Sequence, residues 1–441
     1  MSMTLSRALK LALLGMLVGA LQLPVQAEEL TPNGATKAGN DDGSIPAWDG
    51  GLTAPPAGWR PEQGYVDPFK DEHPLVVINA GNAEQYKDKL TPGQLAMMQK
   101  YPSFHVSVYP THRTFANPQA IYDATREKSG SARINGYKLE NFGLPGTPFP
   151  VPKTGVEEIY NHLMQYYGGY KACTDWLPVR ANGSFYRTGF CQHRVQGTNM
   201  NPPRPDNLYS LIANYDRPSS LVGTIYLVLD PVDKSFEGRQ AWIYNAGQRR
   251  VRRAPDLAYD GIEDGSEGMR TIDSFFGFQG AIDRFDWKLL GKQEKYIPYN
   301  VYKLMDPTLK YDEMLDKGFV KSDLVRNELH RVWVVEATLK EGASHIYSKR
   351  RFYIDEDSHL IVLSEAYDSR GNLWRAQFFP LFQAYDAQVM FQTTMIESDL
   401  SNGNFIVTSI GNERKQPVYQ WNQTGNAADF GVDAIRRRGT R

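Results

Sequence analysis

Apolar runs and alternating apolar and polar positions dominate the chain and predict strands more often than helices. Residues 221–229 read Leu-Val-Gly-Thr-Ile-Tyr-Leu-Val-Leu, which is typical of a strand covered on both faces. Residues 240–244 and 249–253 follow after polar turns, so the three segments form a predicted strand meander. Alternation in the middle strand puts two residues on each face: Trp242 and Tyr244 on one, Ala241 and Ile243 on the other.

A second block of alternation predicts an antiparallel sheet in the C-terminal half. Four segments of β-branched and aromatic residues are separated by short turns that contain Gly, Asp and Ser. Two shorter apolar segments follow them. The predicted strands of this block are 331–339, 346–354, 360–367, 373–379, 391–396 and 405–408.

Helical patterns concentrate in the first part of the chain. They predict helices at 82–101, 117–129 and 154–167. In the third of these, Ile159 and Leu163 recur at helical spacing. We therefore expect this amphipathic helix to pack across one face of the sheet.

The first residues have the pattern of an export signal. The positively charged Arg7 and Lys10 precede an apolar stretch over 11–23, and the small residue Ala27 stands before Glu28. The stretch is too short to cross a bilayer, which needs roughly 20 residues. We expect an exported protein that is cleaved near Ala27 and, since the cleavage region has no cysteine, carries no lipid there.

The segment after the signal is predicted to be an ordered but irregular arm. Residues 28–60 are rich in Gly, Pro and Asp, yet they include Trp48 and Trp59, whose rings are better placed against the body than in water. The predicted organisation is a signal at 1–27, the arm and helices at 28–150, a curved-sheet domain at 151–435 and a basic tail at 436–441.

Composition and charge exclude one class of partner. Hydrophobic residues make up 41% of the chain and aromatic residues 12%, as in a globular protein somewhat rich in aromatic side chains. The net charge is −1, so no basic field is present to recruit nucleic acid.

The two cysteines, Cys173 and Cys191, favour a disulfide because an exported chain meets an oxidising compartment. Two buried free thiols are the alternative. Zinc is disfavoured, because the neighbouring histidines do not complete a ligand spacing that is known for zinc.

Motifs for catalysis are absent from the sequence: it contains no metalloprotease, nucleophile-elbow, phosphate-loop or dinucleotide pattern. We therefore expect no enzyme activity, no cofactor and no metal. One charged group remains open to two interpretations. Arg249, Arg250, Arg252 and Arg253 either pair with carboxylates of neighbouring strands or face an anionic ligand at the mouth of a cavity.

Four groups of residues resemble a large Gram-negative family of unassigned function, whose exported members are often labelled outer-membrane lipoprotein-sorting-like. The matching segments are Lys37-Ala-Gly-Asn40 with Asp42-Gly-Ser-Ile-Pro-Ala-Trp48, Tyr109-Pro-Thr-His-Arg113, the stretch from Arg239 to Pro255, and the stretch from Leu329 to Leu339.

This resemblance implies a fold like that of the periplasmic Lol-type lipoprotein carriers, which is an incomplete barrel with helices inside. It also implies traffic of an apolar cargo in the envelope, together with an inner-membrane exporter and an outer-membrane partner. We therefore expect a periplasmic location.

The sequence thus predicts a β-rich α+β protein, with one strongly curved antiparallel sheet of about ten strands, helices on its concave face and an extended N-terminal arm. The expected function is binding and shuttling of a lipid or another hydrophobic molecule. An envelope-acting hydrolase and a scaffold subunit that binds no ligand are the alternatives. The residues predicted to line the cavity are Trp242, Tyr244, Trp333, Val335, Phe352, Ile354, Ile159 and Leu163.

Overall fold

Strands from both halves of the chain assemble into one large sheet in the computed structural model, which describes residues 29–234, 239–254, 257 and 259–439. The predicted export signal and the last two residues of the predicted tail lie outside the described residues. Within the described ranges, no helix combines the length and the apolar character needed to cross a bilayer.

The strands and helices have the following bounds. The strands of the first half are β1 Val76–Ile78, β2 Val106–Val108, β3 Arg133–Asn135, β4 Lys138–Glu140, β5 Gly169–Val179, β6 Thr188–Val195, β7 Met200–Asn201, β8 Asn207–Arg217, β9 Ile225–Pro231, β10 Gln240–Asn245 and β11 Arg250–Arg253. Those of the second half are β12 Phe285–Pro298, β13 Arg326–Leu339, β14 Lys349–Asp355, β15 Ile361–Tyr367, β16 Leu373–Phe378, β17 Leu381–Ala384, β18 Val389–Gln392, β19 Met395–Asp399, β20 Phe405–Ile410, β21 Tyr419–Gln420 and β22 Gly425–Asn426. The α-helices are α1 Pro92–Lys100, α2 Gln119–Lys128, α3 Gly155–Leu163, α4 Tyr311–Met314 and α5 Val432–Gly439.

Sixteen of the described strands form the main sheet. Its order is β1-β2-β13-β14-β15-β16-β19-β20-β5-β6-β8-β9-β10-β11, with β12 also paired to β13 and β21 to β5. Neighbours are antiparallel except β2 and β13, which run parallel. The strands at the two ends of this order, β1 and β11, are not paired to each other among the described residues, so the barrel is incomplete, as the sequence predicted.

The two halves of the sheet meet at a single pair of strands, β20 and β5. Phe405 lies opposite Val179 and Val407 opposite Leu177, and all four side chains are buried. Beyond them, the fully buried Asp175 accepts hydrogen bonds from Arg187 (2.7 Å), Arg414 (2.5 Å) and the Tyr311 hydroxyl (2.8 Å). This carboxylate therefore ties β5 to three other segments at the point where the halves join.

The helices cover both sides of the sheet. Helix α3 packs on the face of β12 and β13 that carries Trp333 and Val335, which we call the inner face. Helix α5 packs on the opposite face, the outer face, over β9, β10 and β11. The basic residues that the sequence predicted as a tail therefore begin inside α5.

Some predicted elements have different bounds. The predicted strand 221–229 starts only at Ile225, because residues 221–224 form a turn in which Gly223 has a φ of 84°. The predicted helix 82–101 divides into a short 3-10 helix at Ala83–Lys89 and α1. The division falls at Thr91, whose side chain accepts the amide hydrogen bond of Gln94 and caps α1.

The N-terminal arm is held on the turn between β14 and β15 by a buried ion pair. Arg113 donates two hydrogen bonds to the Asp357 carboxylate, from Nε at 2.9 Å and from Nη2 at 2.6 Å. The same guanidinium donates to the carbonyl oxygens of Thr36 (2.7 Å) and Lys37 (3.0 Å). One side chain thereby fixes the arm to the sheet.

We expect Arg113→Met to lower the free energy of unfolding by about 3–5 kcal/mol, because it leaves the buried Asp357 carboxylate without a counter-ion. Chemical denaturation measures this loss. The matched control is Arg126→Met, which removes an exposed ion pair with Asp123 and should change stability by about 0.5 kcal/mol or less. Equal losses in the two variants would contradict this role of Arg113.

The predicted disulfide is confirmed. Cys173 on β5 and Cys191 on β6 lie directly opposite each other and are bonded, 18 positions apart in the sequence. The alternative of two free thiols is therefore wrong for this structure.

Replacing both cysteines by serine should lower the melting temperature, since a cross-link that closes a loop of this size is worth about 3 kcal/mol. Differential scanning calorimetry of the oxidised protein and of the double variant tests this value. Alkylation of the denatured, unreduced protein is the second readout, and any labelled cysteine there would contradict the bond.

Candidate ligand-binding site

A cavity of about 360 Å³ lies between the inner face of one half of the sheet and the connection that follows β11. The floor comes from alternate residues of β6, β8, β9, β10 and β11, which period-two geometry turns to the same side. The roof is part of the segment 257–279. The lining residues are Phe190, Arg194, Tyr209, Leu211, Tyr215, Tyr226, Val228, Arg239, Ile243, Arg252, Arg253, Ala254, Leu257, Gly261, Ile262, Glu263, Asp264, Ile272, Phe275 and Gln279.

Hydrogen bonds from the floor hold the roof in place. The Tyr215 hydroxyl donates to the carbonyl oxygen of Asp264 (2.6 Å), and the Tyr226 hydroxyl donates to the Asp264 carboxylate (2.5 Å). Burial and the nearby Asp264 carboxylate raise the pKa of Tyr226, so this hydroxyl keeps its proton and stays a donor. Glu263 of the roof pairs with Arg270, which lies over the ring of Trp176.

A buried ion cluster closes one end of the cavity. Asp230 accepts hydrogen bonds from Lys234 (2.5 Å) and Arg239 (2.8 Å). Burial alone would raise the pKa of Asp230, but these two cations hold it well below its usual range. Burial lowers the pKa of Lys234 to about 8, although Asp230 opposes this effect. Arg239 also donates to the carbonyl oxygen of Gln279, which joins the cluster to the roof.

Arg194 of β6 occupies the floor next to this cluster. Its side chain is 1% exposed, and its guanidinium lies 3.6 Å from the centre of the Tyr209 ring. Nε donates to the Tyr167 hydroxyl at 2.8 Å. Nη2 is buried and has no hydrogen-bond partner in the described part of the chain.

The mouth of the cavity carries both charge and apolar surface. Arg252 and Arg253 are exposed there, and Ile262 of the roof is 50% exposed. Of the four arginines that the sequence left open, these two line the cavity, whereas Arg249 and Arg250 do not.

The residues that the sequence proposed as cavity lining lie elsewhere. Trp333, Val335, Phe352 and Ile354 form one buried cluster with Ile159 and Leu163 of α3. Tyr244 is on the outer face, where its hydroxyl donates to the carbonyl oxygen of Gly439 in α5, and Trp242 packs beside it. None of the eight is among the lining residues of the 360 Å³ cavity. A ligand contact for them stays a prediction.

Sequence reasoning missed the lining residues although the signal for one group was present. The same alternation that pairs Trp242 with Tyr244 also pairs Ala241 with Ile243, and Ile243 is the residue that lines the cavity. The pattern does not show which of the two faces lines a cavity, and the face with the larger side chains, Trp242 and Tyr244, is not the one. Which face of the strand is the inner one depends on α5, whose position the strand pattern does not encode.

A second cluster of chemistry-bearing groups lies near the arm. His330, Asp355 and Asp357 bring ligand atoms within 4.8 Å of one another, and all three residues are buried. Both Asp357 oxygens are occupied by Arg113, and one Asp355 oxygen accepts from the Ser358 amide and hydroxyl. This leaves Asp355 Oδ1 without a hydrogen-bond partner in the described part of the chain, 3.8 Å from His330 Nδ1. Two atoms do not make a metal site, and these two are too far apart for a direct hydrogen bond.

The Asp355 carboxyl group is expected to be protonated in mildly acidic solution. Burial, together with the Asp357 carboxylate, raises the pKa of Asp355 to about 6. Because the folded-state pKa exceeds the unfolded value of about 3.9, the associated stability is complete at low pH and is lost as the pH rises through about 6.

The free energy of unfolding of Asp355→Asn should therefore increase relative to that of the natural protein as the pH rises from about 5 to about 7.5, by on the order of 1 kcal/mol. The asparagine cannot ionise, and its side-chain oxygen can still accept from Ser358. Thermal unfolding across this pH range measures the difference. Asp71→Asn, at an exposed position, is the control and should show no such trend. A stability difference between Asp355→Asn and the natural protein that does not change with pH would contradict the protonation of Asp355.

A larger cleft of about 590 Å³ runs between residues 63–73 and the connection from β12 to β13. Its lining is mainly polar, and its buried guanidinium, Arg326, already pairs with Glu72 (2.6 Å) and Glu328 (2.5 Å). The cleft therefore offers a less apolar surface and a cation whose charge is already compensated. The 360 Å³ cavity is the better candidate for a hydrophobic ligand.

The fold and the site define a protein with an incomplete β-barrel and a largely apolar cavity on its inner face. The chain belongs to the family DUF1329, described as "Protein of unknown function", whose model matches residues 77–436. The family resemblance found in the sequence is thereby confirmed. The chain is also similar to the uncharacterized protein PA3922 of Pseudomonas aeruginosa, with 45% identity over 422 residues, covering 93% of this chain and 92% of that protein.

Three solved structures are similar to parts of the fold. A putative outer membrane lipoprotein-sorting protein domain from Vibrio parahaemolyticus is 14% identical and covers 64% of this chain and 96% of its own, with a TM-score of 0.43. A DUF1329 family protein from Desulfovibrio piger is 16% identical and covers 63% of this chain and 95% of its own, with a TM-score of 0.43. The LolA superfamily protein NE2245 from Nitrosomonas europaea is 12% identical and covers 64% of this chain and 99% of its own, with a TM-score of 0.38.

Proposed function

We propose that this protein binds a lipid or another hydrophobic molecule in the 360 Å³ cavity and carries it across the periplasm. The observation that carries the proposal is the cavity itself. Its volume falls within the range of about 300–1,000 Å³ that is usual for ligand sites. A packed core leaves few voids larger than a water molecule, so a space of this size is typical of a ligand-binding cavity and not of a packed core.

The chemistry of the lining supports binding rather than catalysis. Leu211, Val228 and Ile243 on the floor face Ile272 and Phe275 on the roof. The described lining residues include no Ser, Cys, His or Lys that could serve as a nucleophile or a base. The two carboxylates of the roof are engaged with Arg270 and with the floor tyrosines.

We also propose that the protein works in the periplasm. The segment over residues 1–27 has the pattern of an export signal, and the cross-strand disulfide suits an oxidising compartment. An inner-membrane exporter and an outer-membrane protein are the partners proposed for loading and delivery. A scaffold subunit would have no use for an open cavity, which is why the carrier is preferred.

Fluorescence titration with the apolar dye Nile red tests the binding step. We expect saturable binding by the natural protein and a loss of about tenfold or more in affinity for Leu211→Trp, because the larger side chain fills the cavity. Val222→Trp is the matched control, since Val222 is 49% exposed and lies outside the lining. Absence of dye binding by the natural protein, or equal binding by the two variants, would contradict the proposal.

A further inference from the structure

The buried charges around the cavity are not balanced by protein groups. The side chains of Arg194, Lys234 and Arg239 are all nearly inaccessible to solvent. Among the described carboxylates, Asp230 pairs with Lys234 and Arg239 together. No carboxylate oxygen of the described residues lies within 4.0 Å of the Arg194 guanidinium, whose charge is met by aromatic rings and the Tyr167 hydroxyl.

Two of these cations also have unused hydrogen-bond donors. Nη2 of Arg194 and Nε of Arg239 are both buried without a partner among the described residues. Arg194 and Arg239 both line the cavity. A buried donor that lacks an acceptor destabilises the protein, and more so when it is charged, so an acceptor that enters the cavity would recover that free energy.

The strand register places apolar surface directly beside Arg194. Arg194 lies opposite Leu211 on the neighbouring strand, and Leu211 lies opposite Val228 on the next one. These three side chains form one row across the inner face. A ligand that touches the guanidinium therefore has hydrocarbon surface within reach on the same floor.

We propose that the cavity takes an amphiphile with an anionic head group, a carboxylate or a phosphate, which pairs with Arg194 while its apolar chain lies along Leu211 and Val228. This inference rests on the proposed function and narrows the ligand class. Arg252 and Arg253 at the mouth add positive potential along the entry path, which favours an anion over a cation or a neutral molecule.

Displacement of Nile red by four twelve-carbon amphiphiles separates head group from chain: dodecanoate, dodecyl phosphate, dodecanol and dodecyltrimethylammonium. All are used below the concentrations at which they form micelles. We expect at least one anionic amphiphile to bind about tenfold or more tightly than dodecanol, and the cation to bind weakest. The better of dodecanoate and dodecyl phosphate then distinguishes a carboxylate head from a phosphate head.

Substitution of Arg194 tests the contact itself. In Arg194→Gln the ratio of the affinity for the anion to the affinity for dodecanol should fall about tenfold. Arg194→Lys keeps the charge and should retain part of the advantage. Arg250→Gln is the matched control, because this exposed arginine of β11 is outside the lining.

The outcomes distinguish this inference from the proposed function. If dodecanol binds as tightly as both anions to the natural protein, the head-group inference is overturned and the hydrophobic cavity stands. If none of the four displaces the dye and the dye itself does not bind, the proposed function is overturned too. Equal loss of all four ligands in Arg194→Gln, with the advantage of the anion retained, would show that Arg194 only shapes the cavity and would overturn its role as the anion contact. The comparison within the natural protein decides the head-group preference even if a variant fails to fold.

Discussion

The pairing of β20 with β5 is the contact on which the single sheet depends. Without it, the strands β5 to β11 and the strands β12 to β20 would be two smaller sheets, each with an open edge. The junction is apolar: its facing residues Phe405, Val407, Leu177 and Val179 are buried. Asp175 at its end draws three donors from separate segments, so the junction is fixed by hydrogen bonds as well as by packing.

The junction and the cavity differ in how buried cations are paired. At the junction, Arg187 and Arg414 both pair with Asp175, and each has a second carboxylate in Glu413 or Asp216. Around the cavity, Asp230 pairs with Lys234 and Arg239, whereas Arg194 has no carboxylate partner among the described residues. Buried charges are costly unless they are paired, so an imbalance of this kind is expected only where something other than the protein completes the set. The contrast points to the β6–β11 half as the functional one.

Much of the fold was predictable from local pattern. Period-two alternation located most strands of the C-terminal block and the β10–β11 hairpin to within a few residues, but the predicted strand 391–396 covers the end of β18 and the start of β19. The sequences Thr-x-x-Gln and Thr-x-x-Glu cap the starts of α1 and α3. Strand β5 was missed because Lys171, Asp175 and Pro178 interrupt its apolar pattern. The structure accommodates the proline because Pro178 lies beyond the part of β5 that pairs with β6, where no amide donor is needed on that side.

The candidate site was less predictable than the fold. Alternation groups residues into faces, but only the packing of α3 and α5 decides which face is inside, and those contacts are between distant segments. The unpaired donor of Arg194 is a property of three-dimensional surroundings that no local pattern records. The arginine run after β10 also indicated the cavity, because two of its four members line it.

The junction also has a consequence for how the chain is made. Val179 and Phe405 are separated by more than two hundred residues, so during synthesis one long edge of β5 emerges well before its partner. At rates of about 5–20 residues per second, the delay is on the order of ten seconds or more. During that interval a nascent chain presents an unpaired strand edge that other strands could occupy. The order of the strands therefore creates a need for protection by a chaperone or by delayed folding until β20 has been synthesised.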